Sequence, residues 1–160
     1  DSGTTADKLV QLDGSAKLPA VDGSQLTNLE YSPSFESVVS ENLRTSSDTA
    51  KVLTTSTYTK VKEIVFNDNP GTIRVDFRLR TPNGQFNAMG RIYKNGVAIG
   101  TERTTSSVTF QTYSENLSVA RGDLIQLYIK NSSTGNVEAA YFRLYYDKSP
   151  KMTTNTVNLN

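Results

Sequence analysis

The side chains that could carry out chemistry are carboxylates, lysines, tyrosines and hydroxyls, because the 160-residue sequence contains no histidine and no cysteine. A histidine-based triad, a thiolate nucleophile and a cysteine zinc site are therefore excluded. Two carboxylates about 5–10 Å apart in a cleft could still hydrolyse a glycosidic bond. The formal candidates are Glu36 with Glu41 and Glu63 with Asp76. Charges on solvated strands are the default interpretation, so we predict no catalytic residue and no enzyme activity.

Two short motifs resemble ligand-binding sequences. Residues 67–71 read Asn-Asp-Asn-Pro-Gly, the densest group of oxygen ligands in the chain. A calcium loop needs more acidic residues than this, and the same composition is typical of a turn. Arg121-Gly122-Asp123 matches the integrin-recognition tripeptide, but it directly precedes a predicted strand, where Gly-Asp forms an ordinary turn. We predict no metal site and no cofactor.

Charge and hydropathy argue against nucleic acid and membrane partners. The net charge is +1, and the only basic stripe, Arg74, Arg78 and Arg80, has Asp76 among its members. Nucleic-acid binding would need more basic residues with stacking aromatic side chains nearby. A solvated sheet face, or polar contacts between subunits, is the favoured interpretation. No apolar run approaches the length of a membrane span, so we predict no membrane insertion.

The chain divides into three segments. Residues 1–32 lack a long helical stripe and a clean strand alternation, but they contain a repeat, because LDGS at 12–15 returns as VDGS at 21–24. This segment is predicted to be a short extended linker. Residues 33–147 are predicted to form a β-sandwich head domain, and residues 148–160 a polar C-terminal tail.

Alternating residues define the head domain. Ile73, Val75, Phe77 and Leu79 fall on one face of a predicted strand, with charged residues on the other. Asn95-Gly96 suits a type I′ turn and predicts a hairpin over 91–99. Further strands are predicted near 50–56, 59–66, 107–113, 123–131 and 137–147, with an additional one within 36–45. Short strands separated by regular turn signals predict an all-β, antiparallel β-sandwich of jelly-roll type.

Two of these strands are apolar on both faces. Leu124 and Tyr128 alternate with isoleucine and leucine, while Tyr141 and Tyr145 share a face with Ala139 and oppose a second apolar set. That second set is predicted to contain Ala140, Phe142, Leu144 and Tyr146. Strands that are apolar on both faces are usually covered on both faces. We therefore predict that Leu124, Tyr128, Tyr141 and Tyr145 contact another subunit, the alternative being tyrosine rings that lie along the surface.

Loop residues are the predicted ligand contacts. Because antiparallel strands alternate in direction, loops near 57–58, 82–86, 103–107 and 131–136 should share one end of the sandwich, distal to the linker. Exposed aromatic rings can stack on sugar rings. The predicted binding residues are Tyr58, Asn83, Phe86, Thr105, Asn131 and Asn136. Ordinary surface residues are the alternative interpretation.

The linker sequence resembles a known family. Residues 8–29 read KLVQLDGSAKLPAVDGSQLTNL, which is similar to a linker of bacteriophage-type tail-fibre proteins. KVKEI at 60–64, GRIYKNGVAIGTER at 90–103 and GDLIQLY at 122–128 resemble the β-sandwich heads of viral fibre proteins and, more broadly, tumour-necrosis-factor-like jelly rolls. The resemblance implies a homotrimer with receptor binding at its exposed end.

The resulting hypothesis is a non-catalytic attachment module. It would be the head of a viral tail fibre, located in the virion and binding a host cell-surface glycan or protein. One alternative is a purely structural trimerisation cap or a virion surface protein of a capsid or turret. Another alternative is a glycan-degrading enzyme domain.

Overall fold

Ten β-strands and no helix make up residues 35–151, the part of the chain that the computed structural model describes. The strands are β1 (Phe35–Ser47), β2 (Lys51–Leu53), β3 (Thr59–Val65), β4 (Gly71–Arg80), β5 (Ala88–Lys94), β6 (Val97–Ala98), β7 (Arg103–Thr105), β8 (Gln111–Val119), β9 (Leu124–Asn131) and β10 (Val137–Pro150). The predicted linker and most of the predicted tail lie outside the described residues. Within them, no helix is long and apolar enough to cross a membrane.

The strands form two sheets with jelly-roll connectivity. In the first sheet β10 lies between β1 and β4, β8 follows β4, and β2 pairs with β10 beyond the end of β1. In the second sheet the order is β3, β9, β5, and both β6 and β7 pair with β5. The chain changes sheet at most of its connections, which is the double Greek key of a jelly roll. The predicted fold class is confirmed.

The core lies between the two sheets and follows the predicted alternation. On β4, Ile73, Val75, Phe77 and Leu79 are 0% exposed. On β9, Ile125, Leu127 and Ile129 are likewise fully buried. Each such side chain contributes about 1.5–3 kcal/mol by leaving water. These two strands therefore stabilise the sandwich and at the same time fix which residues face outward.

A bulge in β10 changes the predicted faces of that strand. Arg78 pairs with Ala140 and Asp76 with Arg143, so one residue of β4 stands opposite two residues of β10. The extra residue reverses the alternation. Ala139 is consequently buried in the core, although it was predicted to share the outer face with Tyr141. Tyr141 itself does point outward, because it follows the reversal.

The hairpin prediction is confirmed, whereas two predicted strand boundaries shift. Asn95 and Gly96 have φ angles of 53° and 81°, as a type I′ turn requires. The strand predicted near 107–113 is β8, which begins only at Gln111. Ser107 bonds to Thr109 and Gln111 through its hydroxyl, and such local bonds compete with strand pairing. At the C-terminal end, β10 continues to Pro150, whose partner is Phe35.

Candidate functional site

Three tyrosine rings lie side by side on the outer face of the second sheet. The rings of Tyr93 and Tyr128 are stacked, with centroids 4.0 Å apart and planes 24° apart. Tyr58 lies beside them, with its centroid 6.2 Å from that of Tyr93. All three residues are half-buried, so each keeps part of its surface accessible to solvent. We call Tyr58, Tyr93 and Tyr128 the tyrosine platform.

The platform follows from strand alternation and sheet order. Ile92 and Leu127 point into the core, so their neighbours Tyr93 and Tyr128 point outward. Tyr93 pairs with Gln126, which makes Tyr93 and Tyr128 diagonal neighbours across β5 and β9. Tyr58 precedes β3 at the far side of β9. It therefore reaches the platform from a different edge of the sheet.

Hydrogen-bonding groups surround the three rings. Tyr58 donates its hydroxyl proton to Glu102 at 2.5 Å, and the Lys130 ammonium lies 4.5 Å from the Tyr58 ring centre. Gln126 and Lys60 both donate to Glu63 at 2.7 Å. The site therefore combines flat apolar surface with fixed donors and acceptors, which suits a ligand with apolar faces and polar edges.

The ionisation of the platform follows from these contacts. Burial, and then the hydrogen bond to Glu102, raises the pKa of Tyr58 well above its ordinary value. Hydrogen bonds from Gln126 and then Lys60 lower the pKa of Glu63. Tyr58 is consequently neutral and Glu63 ionised at neutral pH. A neutral ring beside a carboxylate presents both a stacking surface and a strong hydrogen-bond acceptor.

The structure brings the four predicted loops together at one end. Thr81 N–H donates to Ser107 at 2.9 Å, Ser132 N–H to Asn87 at 3.0 Å, and Asn131 N–H to Thr55 at 2.9 Å. The start of β1 lies at the opposite end, where Ser37 N–H donates to Pro70 at 3.0 Å. The predicted loops are therefore distal to Phe35, the first described residue.

The six predicted binding residues have different environments. Tyr58 joins the tyrosine platform, while Asn83 and Asn136 are exposed at the loop end. Phe86 is half-buried against Gly135. Thr105 lies on β7, where its hydroxyl accepts a bond from the Ser107 N–H at 3.0 Å. A ligand-binding role for these five residues remains a prediction.

Asn131 has a structural role instead. It is 1% exposed, donates its side-chain amide to Gly135 at 2.6 Å, and accepts a bond from the Ser133 N–H at 3.1 Å. Both ends of the amide are thus used to close the turn between β9 and β10. The structure does not support its predicted role as a ligand contact, because the side chain is buried and hydrogen-bonded.

The four predicted interface residues do not form one patch. Leu124 and Tyr128 lie on the outer face of the second sheet, and Tyr141 and Tyr145 on the outer face of the first. Patches on opposite faces of a sandwich point in opposite directions. The two pairs therefore form two separate surfaces and not one.

Stacking within the chain covers part of the three tyrosines among these residues. Arg74 lies 4.5 Å from the ring centre of Tyr145, and Arg78 lies 4.3 Å from that of Tyr141. Tyr128 is covered by Tyr93. All four residues are half-buried within one chain, and their contact with another subunit stays a prediction. The homotrimer itself stays a prediction.

The candidate catalytic and metal-binding residues are dispersed or already paired. Glu63 lies on the outer face of the second sheet and Asp76 on that of the first, so the sandwich separates them. Within residues 35–151 no group of three acidic, histidine or cysteine side chains could hold a metal ion. Asp68, within residues 67–71, accepts bonds from the Asn69 N–H at 2.9 Å and from Lys148 at 3.0 Å.

The Arg121-Gly122-Asp123 tripeptide forms a turn, as the sequence indicates. Gly122 has a φ of 91°, and the Asp123 carboxylate accepts bonds from the Ala120 N–H at 2.8 Å and from Asn95 at 2.7 Å. The bond from Ala120, and then that from Asn95, lowers the pKa of Asp123. Asp123 therefore ties the turn before β9 to the β5–β6 hairpin.

The substitution Asp123→Asn should weaken this turn most at neutral pH. An amide has one acceptor oxygen for two donors, so we expect a loss of about 1–2 kcal/mol in the free energy of unfolding. The carboxylate stabilises the fold above its unfolded pKa of about 3.9, and this stabilisation is lost as the pH falls through the lowered folded value. Urea unfolding should therefore give the same difference in free energy at pH 7 and pH 5 and a smaller one at pH 3. Glu36→Gln is the control at a surface carboxylate. If the loss in unfolding free energy caused by Asp123→Asn were the same at pH 3 as at pH 7, the role given to the Asp123 carboxylate would be wrong.

Tyr93 is the platform residue that sequence reasoning missed. Its alternation with Ile92 marks it as outward-facing, but the sequence pattern alone indicates only that it belongs to a hairpin strand. Its significance depends on β5 lying next to β9, and these strands are far apart in the sequence. Fold and site together define a jelly-roll β-sandwich with an aromatic, polar-rimmed outer face.

Comparison with known proteins gives only weak structural similarities. No protein-family model matches the sequence, and no curated protein matches it. A family 35 carbohydrate-binding module from Clostridium thermocellum aligns with 64% of this chain and 92% of its own length, at 17% identity and a TM-score of 0.44. The C-terminal domain of EclA, a sugar-binding protein, aligns with 61% of this chain and 78% of its own, at 9% identity and a TM-score of 0.46.

A third likeness is of the same kind. The C-terminal family 6 carbohydrate-binding module of LamC, a marine laminarinase from Zobellia galactanivorans, aligns with 69% of this chain and 98% of its own. The identity is 14% and the TM-score 0.40. These are similarities of overall shape between chains that share few identical residues.

Proposed function

We propose that this chain is a non-catalytic carbohydrate-binding module and that the tyrosine platform is its ligand site. The observation that carries the proposal is the grouping of Tyr58, Tyr93 and Tyr128 on one sheet face, each with part of its surface accessible. A sugar ring has an apolar face of C–H groups, which stacks on a flat aromatic ring, and hydroxyl groups at its edge. Glu63 and Lys130 provide partners for those hydroxyls, while the buried Gln126 holds Glu63 in place.

The geometry favours binding over hydrolysis. A glycosidase needs two carboxyl groups facing one bond. On this face Glu63 is held by Lys60 and Gln126, and Glu102 by Tyr58. Both acids are therefore used to fix neighbouring side chains. The face is suited to holding a saccharide reversibly.

We also propose that the module is the head of a virus tail fibre, located in the virion as a homotrimer that binds a glycan on the host cell. The resemblance of residues 8–29 to a fibre linker supports this context. The position of the predicted loops, distal to Phe35, is in keeping with it. Three weak sites on one rigid head would add avidity without new contacts.

A glycan array probed with the fluorescently labelled chain tests the proposal. We expect retention on at least one group of saccharides, with no release of reducing ends from the bound glycan. Light scattering on the same sample should give the mass of three chains. A mass of three chains without retention of any saccharide would favour the structural cap. New reducing ends would favour the enzyme.

A further inference from the structure

The outer face of the first sheet carries a second aromatic array, which is distinct from the tyrosine platform. Arg78 and Arg143 lie over the ring of Tyr141, at 4.3 Å and 4.8 Å from its centre. Arg80 lies 4.5 Å from the ring centre of Phe110, whose ring meets that of Tyr141 edge-on at 6.5 Å. A planar guanidinium stacked on a ring keeps its N–H groups in a fixed orientation.

Three arginines of this face are paired with carboxylates. Arg143 makes two hydrogen bonds to Asp48, at 2.8 Å and 2.6 Å. Arg80 donates to Glu138 at 2.7 Å. Arg74 is held by Glu41 through both of its terminal nitrogens. The hydrogen bonds from Arg143 are the main reason that the pKa of Asp48 is lowered, and the nearby charges of Lys62 and Arg78 lower it further.

Arg78 differs from the other three. Among residues 35–151 no carboxylate lies within ion-pairing distance of its guanidinium, and no side chain or carbonyl accepts a hydrogen bond from it. The side chain is half-exposed, so its N–H groups can be reached from solvent. Its guanidinium stacks on the ring of Tyr141. The Arg78 guanidinium is therefore held in a fixed orientation, and its N–H groups remain available to donate hydrogen bonds to a ligand.

The ring under Arg78 is placed by a strained backbone. Tyr141 has a φ of 52°, one of two positive values among the non-glycine residues of the described chain. Such a conformation costs about 1–2 kcal/mol for a side chain with a Cβ atom. The bulge directs Tyr141 outward while Phe142 remains 0% exposed. Strain of this kind is often retained at binding sites.

We propose that Arg78, stacked on Tyr141, binds the anionic group of an acidic sugar. A guanidinium offers two parallel N–H groups that match a carboxylate or a sulfate ester. The exposed edges of Tyr141 and Phe110 offer apolar surface to the ring that bears the charge. This site lies on the opposite side of the sandwich from the tyrosine platform. Binding at Arg78 can therefore be tested separately from binding at the tyrosine platform.

Affinity electrophoresis of the full chain tests this inference. Native gels contain polygalacturonic acid, dextran sulfate or neutral dextran. The chains compared are the unsubstituted protein and its variants R78Q, R78K and R121Q. R121Q is the matched control, because Arg121 is an exposed arginine in the turn before β9. Thermal melting followed by circular dichroism establishes that each variant is folded.

We expect retardation by at least one acidic polymer and none by dextran. Retardation by polygalacturonic acid indicates carboxylate recognition, and retardation by dextran sulfate indicates sulfate. R78Q should bind at least tenfold more weakly, whereas R121Q should match the unsubstituted chain. R78K keeps the charge but lacks the paired N–H groups, so an intermediate loss is expected even if R78Q does not fold. Equal retardation of R78K, R78Q and the unsubstituted chain, or none by either acidic polymer, overturns the inference.

Discussion

Replacing Gly71 with alanine is expected to be among the most destabilising single changes in this protein. A Cβ atom at Gly71 would lie 2.0 Å from the carbonyl oxygen of Ser37 and 2.6 Å from its nitrogen. Both are backbone atoms of β1, so no side-chain rotation relieves the clash. Gly71 also has a φ of 156°, a value that residues other than glycine rarely adopt.

The clash falls where β1 is attached to β4. Ser37 is 1% exposed, its N–H donates to Pro70 at 3.0 Å, and its hydroxyl donates to Asn69 at 2.7 Å. Moving β1 away breaks both bonds, at about 1 kcal/mol each, in addition to the backbone strain. We expect a loss of about 3–4 kcal/mol in the free energy of unfolding. The melting temperature should fall by roughly 10–20 °C.

Gly122→Ala is the matched control for this effect. Gly122 has a φ of 91°, but a Cβ atom there meets nothing within 4 Å. Backbone strain alone should cost about 1–2 kcal/mol. Urea unfolding of both variants separates the cost of backbone strain, which both share, from the cost of the clash with Ser37, which only Gly71→Ala has. If Gly71→Ala were no less stable than Gly122→Ala, the close contact between Gly71 and the backbone of β1 would be contradicted.

The substitution Tyr93→Ala is expected to abolish most glycan binding. Tyr93 is the central ring of the tyrosine platform and contacts both Tyr58 and Tyr128. Truncating an aromatic residue at the centre of a binding surface typically costs about 2 kcal/mol or more. That corresponds to a loss of roughly 30-fold in affinity. Isothermal titration with a saccharide retained on the array measures it.

Two further variants show whether the ring itself is responsible. Tyr93→Phe keeps the stacking surface and should lose no more than a few-fold in affinity. Tyr145→Ala removes a tyrosine of similar burial on the opposite face, where Arg74 lies 4.5 Å from its ring centre. It should leave binding of a neutral saccharide unchanged. Equal losses for Tyr93→Ala and Tyr145→Ala would show that general destabilisation, and not the platform, explains the effect.

The two outer faces of the sandwich differ in how they hold their aromatic rings. On the second sheet Tyr93 stacks on Tyr128, Lys130 lies over the ring of Tyr58, and the other charges lie around the rim. On the first sheet guanidinium groups lie over the rings, and three of them are paired with carboxylates. The first arrangement exposes neutral stacking surface, whereas the second exposes a cation. We therefore expect the two proposed sites to bind different saccharides.

Much of the fold could be predicted because strand alternation is a local property. The inward positions of β4 and β9 follow from a period of two residues, and the hairpin from Asn95-Gly96. The grouping of the loops at one end follows from antiparallel succession. In each case the physical cause acts over a few neighbouring residues. No knowledge of the rest of the chain is needed.

The sequence by itself therefore determined the fold class, most inward-facing residues and the loop end. Only the tertiary structure decided that Tyr58 and Tyr93 meet Tyr128, that Asn131 closes a turn, and that the bulge in β10 buries Ala139. These features depend on which strands become neighbours and where one register slips. Neighbouring strands such as β5 and β9 are far apart in the sequence, so local alternation carries no information about their pairing.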